Sequence, residues 1–304
     1  MGFFLAFSSY FHILSLELLY CNIRTMILDW RAIASTILEG IKNEITYSDI
    51  PENPMLAVVL VGNNPSSEAY IRMKEKRARE IGMAFGLYRY PITISQEELE
   101  SEIQRLSRDE RIHGLIVQAP LPTHIDRYAV TECIAPAKDV DGFTRTQIGN
   151  MFLGHDGLWS CTPKGVMTML AHTDIDVVGK RVAVIGRSNI VGKPMALMLI
   201  NAWATVVSCN SKTPNLSDIT RSADIIIIAI GQPGFLTRDM VTEKSIIIDV
   251  GSTFVDGIGR WDADFEGLKD YVQAISPVPG GVGPMTVATL IENTWKAYQA
   301  QKSE

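Results

Sequence analysis

Tyr70 and Lys74 stand four residues apart in a polar, helix-forming stretch, so they share one helix face about one turn apart. A phenol and a desolvating pocket beside a lysine would pull its pKa towards working pH and make it a proton carrier. The spacing alone also fits a solvated basic face, because Arg72, Lys76 and Arg77 flank the pair. Gln118 closes an apolar run and is followed by Pro120 and Pro122. The prolines stiffen that loop and present a side-chain amide, either to a ligand or to the loop's own backbone. Asp139 and Asp141 flank Val140, so in an extended loop they point to opposite sides. One can then face a ligand while the other caps the loop or pairs with Lys138. That spacing does not suit two carboxylates working as acid and base.

The fourth group is Val182-Ala-Val-Ile-Gly186-Arg-Ser-Asn-Ile-Val-Gly192-Lys-Pro194. An apolar strand, a glycine turn and a helix start make a phosphate site, because the backbone approaches the anion and free N–H groups point at it. Gly186 to Gly192 is one residue longer than the usual dinucleotide-binding glycine span, so an ordinary strand-turn-helix corner also fits. The next strand ends in Ser208-Cys-Asn-Ser211-Lys-Thr213 without the acid that would bind a ribose 2′-hydroxyl, while Arg187 sits in the turn. Arginine plus hydroxyls suits a 2′-phosphate, which favours NADP over NAD.

The elements that position these groups alternate. Apolar strands at 55–61, 86–90, 113–117, 182–185, 205–209, 225–230, 245–250 and 272–275 are separated by helical patterns, and Ser95-Gln-Glu-Glu98 is a capping box. Such alternation predicts two α/β domains with parallel sheets, the second of Rossmann type, and an active site in the cleft between them. Every unusual polar cluster falls at a strand's carboxyl end, where open α/β sheets bind ligands. The 304 residues, 46% hydrophobic and 20% charged, suit two globular domains. A net charge of −6 argues against nucleic acid as a partner. Cys21, Cys133, Cys161 and Cys209 form no C-x-x-C pair, which fits reduced thiols in a cytoplasmic protein. The five histidines show no metal-ligand spacing, and no metal is expected. Residues 1–25 are apolar but lack the basic start of a signal peptide and the clean length of a membrane span. They are expected to be a dispensable extension, with Met26 as the working start and no membrane partner.

Six segments together resemble the bifunctional methylenetetrahydrofolate dehydrogenase/methenyltetrahydrofolate cyclohydrolase family. They are Val61-Gly62…Ser67-x-x-Tyr70-x-x-x-Lys74, Gly114-Leu-Ile-Val-Gln118-Ala-Pro-Leu-Pro122, Lys138-Asp-Val-Asp-Gly-Phe143, Cys161-Thr-Pro-Lys-Gly165, Gly186 to Pro194, and Pro277-Val-Pro-Gly-Gly-Val-Gly-Pro-Met-Thr286. The resemblance runs from about Met26 to the end. It implies oxidation of 5,10-methylenetetrahydrofolate by NADP, then hydrolysis of the methenyl product to 10-formyltetrahydrofolate.

By position, Lys74 would be the catalytic lysine of the hydrolysis, with Tyr70, Gln118 and Asp141 beside it. Ser67, Tyr70, Gln118, Pro120, Asp141, Pro279, Gly280 and Gly281 would bind the folate. Gly186, Arg187, Ser188, Val191, Gly192, Ser211, Gly231 and Thr286 would bind NADP. The implied division is a folate-binding domain of residues 26–160 plus the last helix (about 285–304), a NADP-binding domain of 161–284, and a homodimer. A monofunctional NAD-linked dehydrogenase is opposed by the intact Tyr70, Lys74 and Gln118. A non-catalytic folate- or nucleotide-binding protein would carry a replaced lysine or a damaged glycine turn. Trp261-Asp262-Ala263 departs from the family's usual Gly-Asp-Val, and Asn210 stands where histidine often precedes the serine.

Overall fold

The computed structural model describes residues 25–48, 52–251, 253–255, 258–277 and 280–303. The expectation for residues 1–25 therefore falls, apart from Thr25, outside the described residues, as does Pro279.

The first half is built on a three-stranded parallel sheet. Its strands are β2 (Met55–Val61), β3 (Ala84–Tyr90) and β4 (Gly114–Val117), in the order β3-β2-β4. The central strand is apolar throughout and buried from Leu56 to Val61, as a parallel strand covered on both faces must be. Helix α1 (Trp30–Tyr47) is capped by Asp29 and buries the stripe Trp30, Ala34, Leu38, Ile41 and Ile45. Helix α2 (Pro65–Glu80) opens on Asn64, whose Oδ1 accepts from the N–H groups of Ser66 and Ser67. It is a polar helix that buries only Ser67, Ile71, Lys74 and Ala78. Those four recur at helical spacing, so Lys74 lies in the buried stripe and not on the solvated basic face. Helix α3 (Gln96–Arg108) carries the Ser95/Glu98 capping box. Helices α4 (Arg127–Glu132) and α5 (Arg145–Leu153) complete this half.

Helix α6 (Cys161–His172) leads into the second sheet. Strands β5 (Arg181–Ile185), β6 (Thr205–Cys209), β7 (Ile225–Ile228), β8 (Ile246–Asp249) and β11 (Ala274–Ile275) are all parallel. Helices α7 (Gly192–Asn201) and α8 (Leu216–Arg221) connect the first three. A hairpin of β9 (Thr253–Val255) and β10 (Ile258–Arg260) and the short helix α9 (Phe265–Leu268) lie between β8 and β11. The sixth strand is β1 (Met26–Ile27), which pairs parallel with β11 and gives the order β1-β11-β8-β7-β5-β6. The sheet of the second half thus takes its edge strand from the start of the described chain.

Helix α10 (Gly283–Lys302) packs on α1 and α6 and buries most of its length, including Met285, Leu290, Ile291, Trp295 and Tyr298. One continuous apolar core joins α1, β2, α6, β5, β7 and α10, so the two halves share an interior.

Candidate active site

Lys74 is brought to the tip of β4 by the buried stripe of α2. Its Nζ donates to Gln118 Oε1 at 2.9 Å, and Gln118 Nε2 donates to the carbonyl of Ala119 at 2.9 Å. The second bond fixes which end of the amide faces the lysine. Ser67 Oγ also donates to the Ala119 carbonyl, at 3.1 Å, so α2 and the proline loop are tied twice. Burial pushes the Lys74 ammonium below the usual lysine range, while the charge of Asp141 and the Cys161 thiol act in the opposite direction. A lowered pKa favours the neutral amine, the form that a proton acceptor requires.

Two cavities meet at this lysine. One, of about 360 Å³, is walled by Ser67, Tyr70, Lys74, Gln118, Pro120 and Thr286. The other, of about 170 Å³, is walled by Lys74, Gln118, Asp141, Cys161, Ile190 and Thr286. Ile190 belongs to the glycine turn, so the second cavity lies between the halves, and Ser160 Oγ bonds the Ile190 carbonyl at 3.1 Å. The paired aspartates divide as their spacing requires. Asp139 is fully buried and accepts from the N–H groups of Gly142 and Thr144, at 3.0 and 2.6 Å. Burial raises its pKa to about 6. Asp141 is left to face the cavity. Lys138 pairs with neither aspartate; its Nζ caps the carbonyl of Asp109 at 2.7 Å.

On the facing side, Gly186 ends β5 with φ +127°, and a Cβ there would lie 2.4 Å from the Ala229 carbonyl oxygen. A Cβ on Gly192 would lie 2.2 Å from the Gly186 oxygen, so both glycines are required by the turn itself. Ser188 organises the rest: its hydroxyl accepts from Val191 N–H (3.1 Å) and Gly192 N–H (3.4 Å), and its carbonyl from Lys193 N–H (3.0 Å). The first helical amides are therefore already engaged, which corrects the sequence-based view that they face the anion. The donors left for a phosphate are the loop amides of Arg187 to Ile190, none of which bonds to another described residue.

Arg187 and Ser211 stand two residues beyond the register partners Ile185 and Cys209 and are both exposed. Gly231 lies three past Ile228, the next strand over, with φ +67°. This tight, amide-lined turn with a cation and hydroxyls beside it fits a nucleotide carrying a 2′-phosphate.

The structure thus brings Ser67, Tyr70, Lys74, Gln118, Pro120 and Asp141 together, and gathers Gly186, Arg187, Ser188, Val191, Gly192, Ser211 and Gly231 at the tips of β5 to β7. Thr286, grouped with the cofactor residues by sequence, instead walls both Lys74 cavities and hydrogen-bonds Thr162 at 3.0 Å. Gly280 and Gly281 pack beside Arg31 and Trp261 and line neither cavity. Sequence reasoning gave no role to Asn293 of α10, which is fully buried. It donates to the carbonyls of Val140 (2.9 Å) and Trp159 (2.8 Å) and accepts from Lys164 Nζ (3.0 Å). The signal was a lone amide among the apolar residues and threonines of a buried helix face. Arg127, which stacks over Phe143 at 5.1 Å, also enters the cavity wall unannounced. Among the described residues no group of three or more His, Cys, Asp or Glu could hold a metal, and no helix is long and apolar enough to cross a membrane.

Two α/β halves, a glycine turn on one and a buried lysine–amide–carboxylate cluster on the other define a dinucleotide-dependent enzyme with an interdomain site. The comparisons are specific. Residues 28–141 match the family description "Tetrahydrofolate dehydrogenase/cyclohydrolase, catalytic domain", and residues 160–302 match its NAD(P)-binding domain. The bifunctional protein FolD of Halalkalibacterium halodurans is 45% identical over 273 residues, covering 90% of this chain and 98% of that protein. The crystal structure of the bifunctional enzyme from Campylobacter jejuni superposes with a TM-score of 0.89 at 43% identity, covering 91% of this chain and 99% of that one. The Trypanosoma brucei enzyme, solved with NADP and an inhibitor, gives 0.87 at 33% identity over 92% and 99%. The chain belongs to the tetrahydrofolate dehydrogenase/cyclohydrolase family.

Proposed function

We propose that the protein oxidises 5,10-methylenetetrahydrofolate to the methenyl cation with NADP and then hydrolyses that cation to 10-formyltetrahydrofolate, serving one-carbon metabolism and purine biosynthesis. The observation that carries this reading is Lys74: buried, depressed in pKa, and held 2.9 Å from Gln118 Oε1 at the junction of two cavities. When bound, NADP supplies the acceptor for the hydride that leaves the methylene carbon. The loop amides 187–190, Arg187 and Ser211 would hold it. Asp141 anchors the donor-rich amino-pyrimidine edge of the folate, and Tyr70 stacks on its ring system. Neutral Lys74 takes a proton from the water that adds to the methenyl carbon and returns it to the ring nitrogen as the carbon–nitrogen bond opens, while the adduct's hydroxyl proton leaves to solvent as the formyl carbonyl forms. Gln118 keeps the amine pointed at that carbon.

In this reading residues 26–160 with the last helix (about 285–304) form the folate domain, residues 161–284 form the NADP domain, whose sheet borrows Met26–Ile27 as its edge strand, and residues 1–25 are dispensable. The protein is a cytoplasmic homodimer. The dimer is supported by exposed apolar residues near the edge strand β6: Ile200 (55% exposed) and Trp203 (80%). Sedimentation of the purified protein reads that stoichiometry directly.

Lys74→Gln tests the mechanism. Methenyl hydrolysis should fall by about 100-fold or more, the usual size of a lost proton-transfer group, while NADP binding is retained as evidence of folding. Hydrolysis at the wild-type rate would remove Lys74 from the mechanism.

A further inference from the structure

A third cavity, of about 340 Å³, lies between the halves and takes no part in the chemistry above. Helix α4 gives it Tyr128, α5 gives Ile148 and Met151, and α7 gives Pro194 and Leu197. Arg127, Phe143 and Ile190 line both this chamber and the smaller Lys74 cavity, so these three side chains partition the two. Asn189 of the glycine turn also lines it, and its Nδ2 donates to the Tyr128 hydroxyl, which ties the halves together there.

The walls say what would fit. Tyr128, Ile148 and Ile190 are exposed apolar side chains gathered in one concavity, the usual lining of a ligand site. Among the described residues that line it, the charged ones are both cations, Arg127 and Lys193, in a chain of net charge −6. Neither is paired with a described carboxylate. The Arg127 guanidinium stands 5.1 Å from the centre of the Phe143 ring, so its planar fork is held against an apolar wall. A carboxylate matches that fork with two parallel bonds. The volume falls at the lower end of ligand pockets, roughly 300–1,000 Å³, which suits one or two aromatic rings.

We propose that this chamber is an effector site for a small aromatic carboxylate, distinct from the folate and nucleotide sites. The rings fill the space between α5 and α7, the carboxylate pairs with Arg127, and exposed Lys193 adds a second charge. The occupant packs on Asn189 and Ile190, which belong to the loop whose amides are left for a phosphate. Every residue of that loop from Arg187 to Ile190 is exposed, so the occupant restrains what NADP binding must otherwise order. It therefore tightens NADP binding. The effector role rests on the NADP-binding reading above; the site itself does not.

The probe is 2-naphthoate, titrated by calorimetry into the full protein without folate or nucleotide. Saturable binding with a dissociation constant on the order of 0.1–1 mM is expected, the strength open to so small a ligand. Arg127→Met keeps the apolar stem and removes the fork, and should weaken binding about tenfold or more, the worth of one charge-assisted bond. Uncharged 2-naphthamide should bind the wild type more weakly by a similar factor. Leu197→Trp fills the chamber and should abolish binding, with methenyl hydrolysis measured to show that the variant folds. Lys193→Gln, on the exposed rim, should weaken binding about threefold. Asp141→Asn should not weaken it, because Asp141 lines the Lys74 cavity and not this one. No saturable binding, equal binding of naphthoate and naphthamide, unchanged binding in folded Leu197→Trp, or binding lost in Asp141→Asn each overturns the site. Saturating 2-naphthoate should lower the NADP dissociation constant about fivefold, and NADP should tighten naphthoate by the same factor. Absence of that coupling overturns the effector role. Protein that binds naphthoate as expected but no NADP would instead bring down the cofactor reading itself.

Discussion

Arg187 and Ser211 reach the same place from neighbouring strands, because the β5–β6 register sets Ile185 opposite Cys209 and each residue lies two further on. A guanidinium there gains a charge-assisted bond only if the nucleotide carries a 2′-phosphate. Arg187→Ala should therefore raise the KM for NADP by roughly tenfold or more, about the worth of one such bond, and leave that for NAD nearly unchanged. Steady-state kinetics with both nucleotides checks it, and equal effects would contradict the 2′-phosphate role. Lys74 shows how far single residues were legible. Its spacing from Tyr70 fitted a catalytic pair or a solvated basic face equally well. The burial of Ser67, Ile71, Lys74 and Ala78 as one stripe excludes the solvated face, and sequence hydropathy hides that stripe because half of it is polar.

Among the elements, Asn293 shows what a helix can do for a loop in another part of the chain. From α10 it holds the carbonyls of Val140 and Trp159, and so fixes the residues just before Asp141 and just before Ser160 and Cys161. Asn293→Leu would leave the Trp159 carbonyl without its partner, a cost of about 1–3 kcal/mol when buried, while Val140 keeps only the Cys161 thiol and Lys164 only Glu292. The expected outcome is a lower melting temperature and a KM for methylenetetrahydrofolate raised more than that for NADP. A variant with unchanged folate KM would reduce Asn293 to a packing residue. The long parallel strands were readable because each is a bounded apolar run; Met55–Val61 and Thr205–Cys209 agree with the sequence reading to the residue. Several short elements were not readable. Helix α5 has a weakly amphipathic pattern with Gly149 inside it, the β9–β10 hairpin has three-residue strands, and β1 has only two residues. In β1 the stabilising partner is β11, far along the chain, so no local pattern announces it.

At the scale of the whole molecule, that short strand binds the start of the described chain to the nucleotide half. Met26 N–H donates to the Gln273 carbonyl at 2.9 Å and Leu28 N–H to the Ile275 carbonyl at 3.2 Å. Leu28 is 1% exposed within the core that both halves share. Helix α1 follows at once and packs on α10, so residues 26–29 hold one half's sheet to the other half's helices. Two lengths of chain distinguish this strap from the preceding residues. A protein beginning at Met26 keeps both backbone bonds and Leu28 and loses the Thr25 hydroxyl bond to the Val272 carbonyl (2.7 Å), so its thermal midpoint should stay within about 2 °C of the full chain's. A protein beginning at Trp30 loses two backbone bonds worth about 1 kcal/mol each and a buried leucine worth about 2 kcal/mol. It also loses the Asp29 cap of α1, worth about 1 kcal/mol. The sum, about 5 kcal/mol, should lower the midpoint by roughly 10 °C or more for a chain of this size. Scanning calorimetry of the two truncations reads the difference, and equal midpoints would show that β1 does not hold the halves together. The shorter protein should also melt in two steps, the NADP-binding half apart from the folate half, where the longer one melts in one.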